Sequence, residues 1–216
     1  MKILTILSAI VLISINVAMA DNIKHDTLPP CEGQGCSAIA VKVVLEEKKE
    51  PQDLKIRIGS MAVSIPPNVT RIDLAKSLTV FRYETAPHIT FSTETDETFQ
   101  MDKLTLKPIS ISEAMEIIFT KTLKDRDITS KYDKELLNNL MWIKKGFMEG
   151  AKEAFVYDKG SVKIYYLPNG APPYRNLAWA IDSEHPNVAI RLESDLSQNS
   201  FIKILYSISS IKRKGK

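Results

Sequence analysis

The sequence has few of the residues from which catalytic and metal sites are usually built. Its 216 residues include two cysteines, three histidines and eight glycines. None of His25, His88 and His185 has a second histidine three to five residues away, which excludes the helical type of zinc motif. The glycines form no phosphate-binding or dinucleotide-binding loop, and no Gly-x-Ser-x-Gly elbow is present. The sequence therefore predicts no catalytic residue, no cofactor site and no metal site, and each histidine is expected in a solvated loop.

An excess of charge of one sign is also absent. Lysine and arginine together number 29, aspartate and glutamate number 26, and the two signs are interleaved along most of the chain. Nucleic-acid binding would need a basic face, because phosphate contacts supply most of the affinity. The exception is a basic tail at residues 213–216, preceded by Lys212, whose charges would each add only about 1 kcal/mol of attraction to an anionic surface. We therefore expect no nucleic-acid partner and a solubilising role for this tail.

Long apolar runs are limited to the N-terminus. Residues 3–17 contain no charged side chain, follow Lys2, and are followed by small residues at the −3 and −1 positions of a cleavage site. These are the three parts of a secretory signal peptide over residues 1–20. A membrane anchor would need about 17–25 apolar residues and basic residues after them, whereas Asp21 follows here. We expect a cleaved signal peptide, a periplasmic location and no stable membrane anchor.

The two cysteines lie close together in an N-terminal arm, residues 21–38. Four residues separate Cys31 from Cys36, and an exported protein meets an oxidising compartment in which a nearby pair tends to close. A redox motif would have two intervening residues at the start of a helix, and a metal site would need two more ligands. The pair is therefore predicted to form a local structural disulfide, with a chain-entropy contribution of about 2 kcal/mol at most.

Alternating apolar residues predict strands in the first half of a domain that covers residues 39–212. These strands are expected at residues 39–45, 54–58, 61–65, 79–83 and 89–91. Gly59 and Ser60 would form a turn or a bulge between two of them. The acidic, threonine-rich stretch at residues 92–97 is expected to be an exposed loop.

Two amphipathic helices are predicted in the middle of the chain. The first begins near Ser110, which has capping-box spacing to Glu113, and extends to about residue 124. A charged link at residues 125–133 leads to the second helix, whose apolar residues recur at helical spacing. Trp142 falls between the two faces of that helix, so we expect it at the edge of the core.

Strands return in the last third of the chain and precede a closing helix. They are expected at residues 154–157, 162–167, 177–181 and 188–192, and three or four strands in succession indicate an antiparallel meander. The final helix would be opened by Ser197 or Asn199. This order predicts a single α+β domain in which helices cover a mostly antiparallel sheet, as an α/β/α sandwich.

The loop at residues 167–176 is the best candidate in the sequence for contact with a partner. It contains three prolines, which lower the entropy of the free loop, and Tyr174 and Arg175 are residue types that dominate binding hot spots. Tyr166 lies on the adjoining predicted strand. The predicted partner-binding residues are therefore Tyr174, Arg175 and Tyr166. The alternative is a plain crossover whose tyrosine covers the edge of the sheet.

Several features resemble the PsbP-type α/β/α sandwich. They are a strand that ends in an Ile-Pro step at Ile65 and Pro66, central helices, a late meander and a closing helical segment at residues 201–212. The resemblance covers residues 54–212, contains no functional motif and transfers no site residues. Proteins of this type include small periplasmic proteins without catalytic activity, among them immunity proteins that neutralise toxins delivered into the bacterial envelope.

Export, the missing catalytic signatures and the proline-rich loop favour a binding protein over an enzyme. The expected partner is a protein, namely a secreted toxin or effector that this chain would neutralise as an immunity or inhibitor protein. One alternative is an envelope enzyme or enzyme accessory that uses Asp125, Asp127 or His185, which would require these side chains to gather in one pocket. The other is a small-ligand carrier, which would require a large apolar cavity between sheet and helices.

Overall fold

A computed structural model of the chain describes residues 28–44, 53–84, 87–96, 109–148, 151, 153–168 and 176–211. Within these ranges the chain forms one α+β fold. Its strands are β1 (Val41–Val44), β2 (Leu54–Ile58), β3 (Met61–Ile65), β4 (Val69–Ala75), β5 (Leu78–Tyr83), β6 (His88–Thr95), β7 (Phe155–Lys159), β8 (Val162–Pro168), β9 (Asn176–Asp182), β10 (Val188–Ser194) and β11 (Ser209–Ser210). Its helices are α1 (Gln34–Ser37), α2 (Ile111–Thr120), α3 (Arg126–Lys131), α4 (Lys134–Met148) and α5 (Gln198–Ser207).

An eight-stranded mixed sheet organises the fold. Its strand order is β1-β7-β8-β9-β10-β6-β5-β4, so β1 and β4 are its two edges, and a second sheet has the order β11-β3-β2. Strands β1 and β7 are parallel, and every other neighbouring pair of the large sheet is antiparallel. Consecutive strands β7 to β10 are neighbours, which confirms the predicted meander. The α+β class with a mostly antiparallel sheet is also confirmed.

The central strands of the large sheet are buried on both faces, whereas its edge strands β1 and β4 are largely exposed. One face packs against α2, α3 and α4, and the rings of Phe119, Tyr165 and Trp179 meet there. The opposite face packs against α5 and the small sheet, where the rings of Tyr166 and Phe201 are in contact. Because successive residues of a strand point to opposite faces, Tyr165 and Tyr166 lie in different cores.

The prediction of an exposed loop at residues 92–97 is wrong over its first four positions. Strand β6 extends to Thr95 and pairs with both β5 and β10, so that Ser92 lies opposite Leu78 on one side and Arg191 on the other. Threonine favours extended backbone, and Glu94 is matched by Arg191 at 3.3 Å. The polar composition of this stretch therefore reflects paired charges within a sheet.

Four further elements were not predicted, among them the short helix α1 and the strand β11, which lies within the closing helical segment expected at residues 201–212 because the last helix ends at Ser207. Strand β4 follows the Pro66-Pro67 step and completes a three-strand meander with β5 and β6. Helix α3 lies inside the predicted charged link at residues 125–133.

Cys31 and Cys36 form the predicted disulfide, and side chains of α4 hold the arm that contains it. The carbonyl oxygen of Pro29 accepts hydrogen bonds from Asn138 Nδ2 at 3.1 Å and from Trp142 Nε1 at 2.8 Å. The Cys31 N–H donates to Asn138 Oδ1 at 3.0 Å. Trp142 is partly buried against the core, as predicted.

The predicted signal peptide and basic tail lie outside the described residues. Among the residues that are described, no helix has the length and apolar character needed to cross a membrane.

Candidate functional site

The predicted partner-binding residues fall into two groups. Tyr174 and Arg175 lie outside the described residues, in the segment 169–175. Tyr166 is fully buried, and its ring centroid lies 5.6 Å from that of Phe201 and 6.1 Å from that of Tyr157. The structure therefore places Tyr166 in the core, where its ring is not available on the surface.

Buried hydrogen bonds hold Asn176, the residue that follows segment 169–175 in the chain. The flanking residues of the segment, Pro168 and Asn176, are paired neighbours in β8 and β9. Asn176 is only 1% exposed, and its Oδ1 accepts a hydrogen bond from the Tyr166 hydroxyl at 2.7 Å. Its Nδ2 donates to the carbonyl oxygens of Leu196 at 2.7 Å and Ser194 at 3.5 Å. We name these interactions of Asn176 the loop anchor.

Tyr166 is the donor of its hydrogen bond with Asn176, because the amide oxygen of Asn176 can only accept. Burial raises the pKa of Tyr166 far above its ordinary value of 10.0, with a smaller contribution from Tyr157. The hydroxyl therefore keeps its proton and donates a hydrogen bond to Asn176 Oδ1. Leaving a buried donor or acceptor of this kind unpaired costs about 1–3 kcal/mol, so the loop anchor resists rearrangement.

A histidine–carboxylate pair stands beside the loop anchor at the same end of the sheet. Ser194 is the register partner of Asn176, and its hydroxyl donates to the His88 carbonyl oxygen at 2.7 Å. The next residue, Asp195, accepts a hydrogen bond from the His88 N–H at 2.6 Å and approaches His88 Nδ1 at 3.2 Å. His88 therefore opens strand β6, whereas the sequence suggested a solvated loop.

A charged cluster that the sequence did not reveal lies on the face of the large sheet that packs against α2, α3 and α4. Arg191 Nη1 lies 3.3 Å from Glu94 Oε1, and Nη2 contacts Glu193. Trp179 Nε1 donates to Glu94 Oε2 at 3.0 Å, and the Arg191 guanidinium carbon lies 5.9 Å from the Trp179 ring centroid. Burial raises the pKa of Glu94, and the charge and hydrogen bond of Arg191 oppose that rise.

This cluster connects three strands, and we interpret its role as structural. Its members come from β6, β9 and β10, and the ring of Phe147 on α4 covers Trp179 at a centroid distance of 4.9 Å. The sequence signal for this cluster is the spacing of Arg191 and Glu193, which are two residues apart on one strand. Their partner Glu94 could not be found because its segment was predicted to be a loop.

The residues named for an enzyme alternative are not brought together. Asp125 and Asp127 follow the C-terminus of α2. His185 lies near the other end of α2, where the adjacent Pro186 carbonyl oxygen accepts a hydrogen bond from the Ser112 N–H at 3.0 Å. A helix of ten residues spans about 15 Å. Within the described ranges, no group of three or more His, Cys, Asp or Glu side chains is placed to hold a metal ion.

The edge strand β4 carries a charged row on one face and an apolar row on the other. Arg71 Nε lies 2.5 Å from Asp73 Oδ1, and Arg82 Nε lies 2.7 Å from Asp73 Oδ2. The hydrogen bond from Arg82 lowers the pKa of Asp73 below its ordinary value. On the opposite face, Ile72 and Leu74 are 51% and 77% exposed.

Comparison of the chain with protein-family models, with curated proteins and with solved structures finds no match. What the protein does is therefore inferred from its own residues.

Proposed function

We propose that this protein is an exported binding protein without catalytic activity, and that it neutralises a secreted toxin or effector as an immunity or inhibitor protein. Segment 169–175 contacts the partner, with Tyr174 and Arg175 as the main contact residues. The proposal includes a signal peptide at residues 1–20, a periplasmic location and the α/β/α layer order that a PsbP-type sandwich would have.

The loop anchor is the observation that carries this proposal. Its hydrogen bonds hold Asn176, which directly follows a segment that is rich in proline and contains a tyrosine and an arginine. Binding is favoured when the contact residues have little conformational freedom to lose. Tyrosine and arginine are also enriched among the few interface residues that supply most of the binding energy. A buried anchor directly after such residues in the chain therefore suits stoichiometric recognition of a protein.

The cellular test uses a strain in which a neighbouring gene encodes a secreted toxin. Deleting the gene for this protein should make cells sensitive to attack by sister cells that deliver that toxin, and expression of the full chain should restore resistance. Titration calorimetry of the mature chain, residues 21–216, with the purified toxin should give a fixed stoichiometry. Equal resistance of deleted and intact strains, or no binding in the titration, would contradict the proposal.

The surface test compares variants in the same titration. Tyr174→Ala combined with Arg175→Ala should weaken binding about tenfold or more, as expected for hot-spot residues. Asn176→Ala should also weaken binding because it removes the loop anchor. The matched controls are Lys55→Ala with Arg57→Ala on the exposed strand β2, and Asn199→Ala on the surface of α5. If the controls and the loop variants bind equally well, the partner contacts another surface.

A further inference from the structure

Strand β4 is an edge at which a further strand could add. Its neighbour in the sheet is β5, and no described residue pairs with its other side. The pair Ala75–Leu78 flanks the two-residue turn between β4 and β5. Hydrogen-bonded and non-hydrogen-bonded pairs alternate along an antiparallel ladder, so the backbone groups of Arg71 and Asp73 point to β5. Those of Ile72 and Leu74 point outward, as free edge groups that can template pairing.

The apolar row of β4 lies on the same face of the sheet as the core below α5. Ile72 lies directly opposite Phe81, which is buried in the core below α5. Ile72 and Leu74 themselves are largely exposed. Natural sheet proteins usually blunt such an edge with proline, a bulge or inward-pointing charge. The bulge of β4 lies at its start, between Val69 and Arg71, so the stretch with the exposed apolar residues remains regular.

The charged row of β4 can pair with the same row of a second copy, because Arg71 and Asp73 carry opposite charges. If a second copy pairs antiparallel about a two-fold axis at Ile72, Arg71 of one copy lies opposite Asp73 of the other. Thr70 then lies opposite Leu74, and Ile72 lies opposite its own copy. An axis at Arg71 or at Asp73 would instead place like charges opposite each other, which is unfavourable. The Arg71 side chain is 72% exposed, and its guanidinium has further N–H donors beyond the one directed to Asp73 of its own chain.

Charge and backbone geometry select the same register. The axis that pairs Arg71 with Asp73 also places Ile72, whose backbone groups point outward, in a mutually hydrogen-bonded pair. We propose that the occupant of this edge is a second copy of this chain, joined through β4 in antiparallel register centred on Ile72. The interface is isologous and closed, and it joins the two eight-stranded sheets into one. Segment 169–175 connects β8 and β9 in the chain, and three strands separate β9 from β4 in the sheet.

The test is a charge exchange followed by sedimentation velocity of the mature chain over a wide concentration range. The unmodified chain should sediment as a dimer. Arg71→Asp places Asp opposite Asp, and Asp73→Arg places Arg opposite Arg, so each variant should be a monomer. An equimolar mixture of the two variants restores opposite charges at both positions and should form a heterodimer. A monomer at every concentration for the unmodified chain, or dimers that persist in both single variants, would overturn the proposal.

Cross-linking tests the register without relying on charge. In a hydrogen-bonded antiparallel pair the two Cα atoms are about 5.5 Å apart, which a disulfide can bridge. Ile72→Cys should therefore form a covalent dimer on mild oxidation, whereas Leu74→Cys, which faces Thr70 of the second copy, should not. Cross-linking of Leu74→Cys in preference to Ile72→Cys would contradict the register. Circular dichroism and thermal melting confirm that each variant is folded. The titration with a toxin measures the proposed function separately, so either proposal can fail while the other stands.

Discussion

At the scale of single residues, Lys144 shows how a charged group is accommodated in the core. It is fully buried on α4, and its Nζ donates to the Lys121 carbonyl oxygen at 2.6 Å. Lys121 follows the last residue of α2, where carbonyl groups lack helical partners and the helix dipole is negative. Burial lowers the pKa of Lys144 from 10.5 to about 8, and the charge of Asp125 opposes this change.

Lys144→Met should therefore change the pH dependence of stability. Between pH 8 and 10.5 the unfolded chain binds more protons at this lysine than the folded chain does, so the free energy of unfolding rises with pH. The variant should lack this rise. Urea unfolding of both proteins from pH 8 to 10 measures it. The upper limit avoids the buried tyrosines Tyr83 and Tyr157, whose pKa of about 12 reduces stability above pH 10.

Lys134→Met is the control, because Lys134 lies exposed on the first turn of the same helix. It should reproduce the pH profile of the unmodified protein. Parallel profiles for Lys144→Met and the unmodified protein would show that Lys144 does not titrate in this window.

Residues with a local signal were predicted, and residues defined by distant partners were not. Cys31 and Cys36 are close in sequence and paired as expected. Glu94 and Arg191 are 97 positions apart, and nothing in either segment indicates the other. Tyr166 was assigned to a surface because its sheet face could not be known before the register of β8 was known.

At the scale of elements, α2 follows its sequence signal closely at its start. The Ser110 hydroxyl accepts a hydrogen bond from the Glu113 N–H at 3.2 Å, which confirms Ser110 as the N-cap. The helix ends at Thr120 rather than near residue 124, because the backbone of Lys121 is extended. Lys144 donates a hydrogen bond to the Lys121 carbonyl oxygen at this helix end. That contact comes from another helix, so the local sequence does not show it.

Ser110→Ala should lower the free energy of unfolding by about 1 kcal/mol, because an uncapped N–H group remains at the start of α2. Urea unfolding measures the change. Ser112→Ala, inside the first turn of the same helix, should have a small effect of either sign since alanine has the higher helix propensity. Equal losses in both variants would indicate that the effect arises from packing rather than capping.

Strand pairing separates what local pattern predicts from what it does not. The meander β7 to β10 was predicted because its strands follow one another in sequence and pair with their sequence neighbours. The parallel pair of β1 and β7 joins Val41 to Phe155, which no local pattern encodes. Strand β4 was not predicted, although Arg71, Ile72, Asp73 and Leu74 alternate between charged and apolar residues as a strand does.

At the scale of the whole molecule, the N-terminal arm is held in two ways. The disulfide closes a small ring, and Asn138 and Trp142 bind the backbone next to it. Cys31→Ser with Cys36→Ser should therefore lower the free energy of unfolding by about 2 kcal/mol at most, with the rest of the fold retained. Urea unfolding and limited proteolysis measure this, and the arm should be the first site of cleavage.

Reduction of the unmodified protein serves as the control and should give the same unfolding curve as the double variant. Loss of the cooperative transition in both would contradict a local role and would show that the whole domain depends on this bridge.

The parallel pairing of β1 with β7 also has a consequence for the order in which the protein folds. Strand β1 leaves the ribosome early, yet its neighbour is made more than a hundred residues later, since Val41 pairs with Phe155. Such a non-local contact is slow to form, because a long loop must close before the contact contributes any stability. The meander β7 to β10 can assemble from neighbouring segments first. The strand synthesised first is then among the last to join the sheet, and a nascent chain that ends before β7 lacks the strand with which β1 pairs.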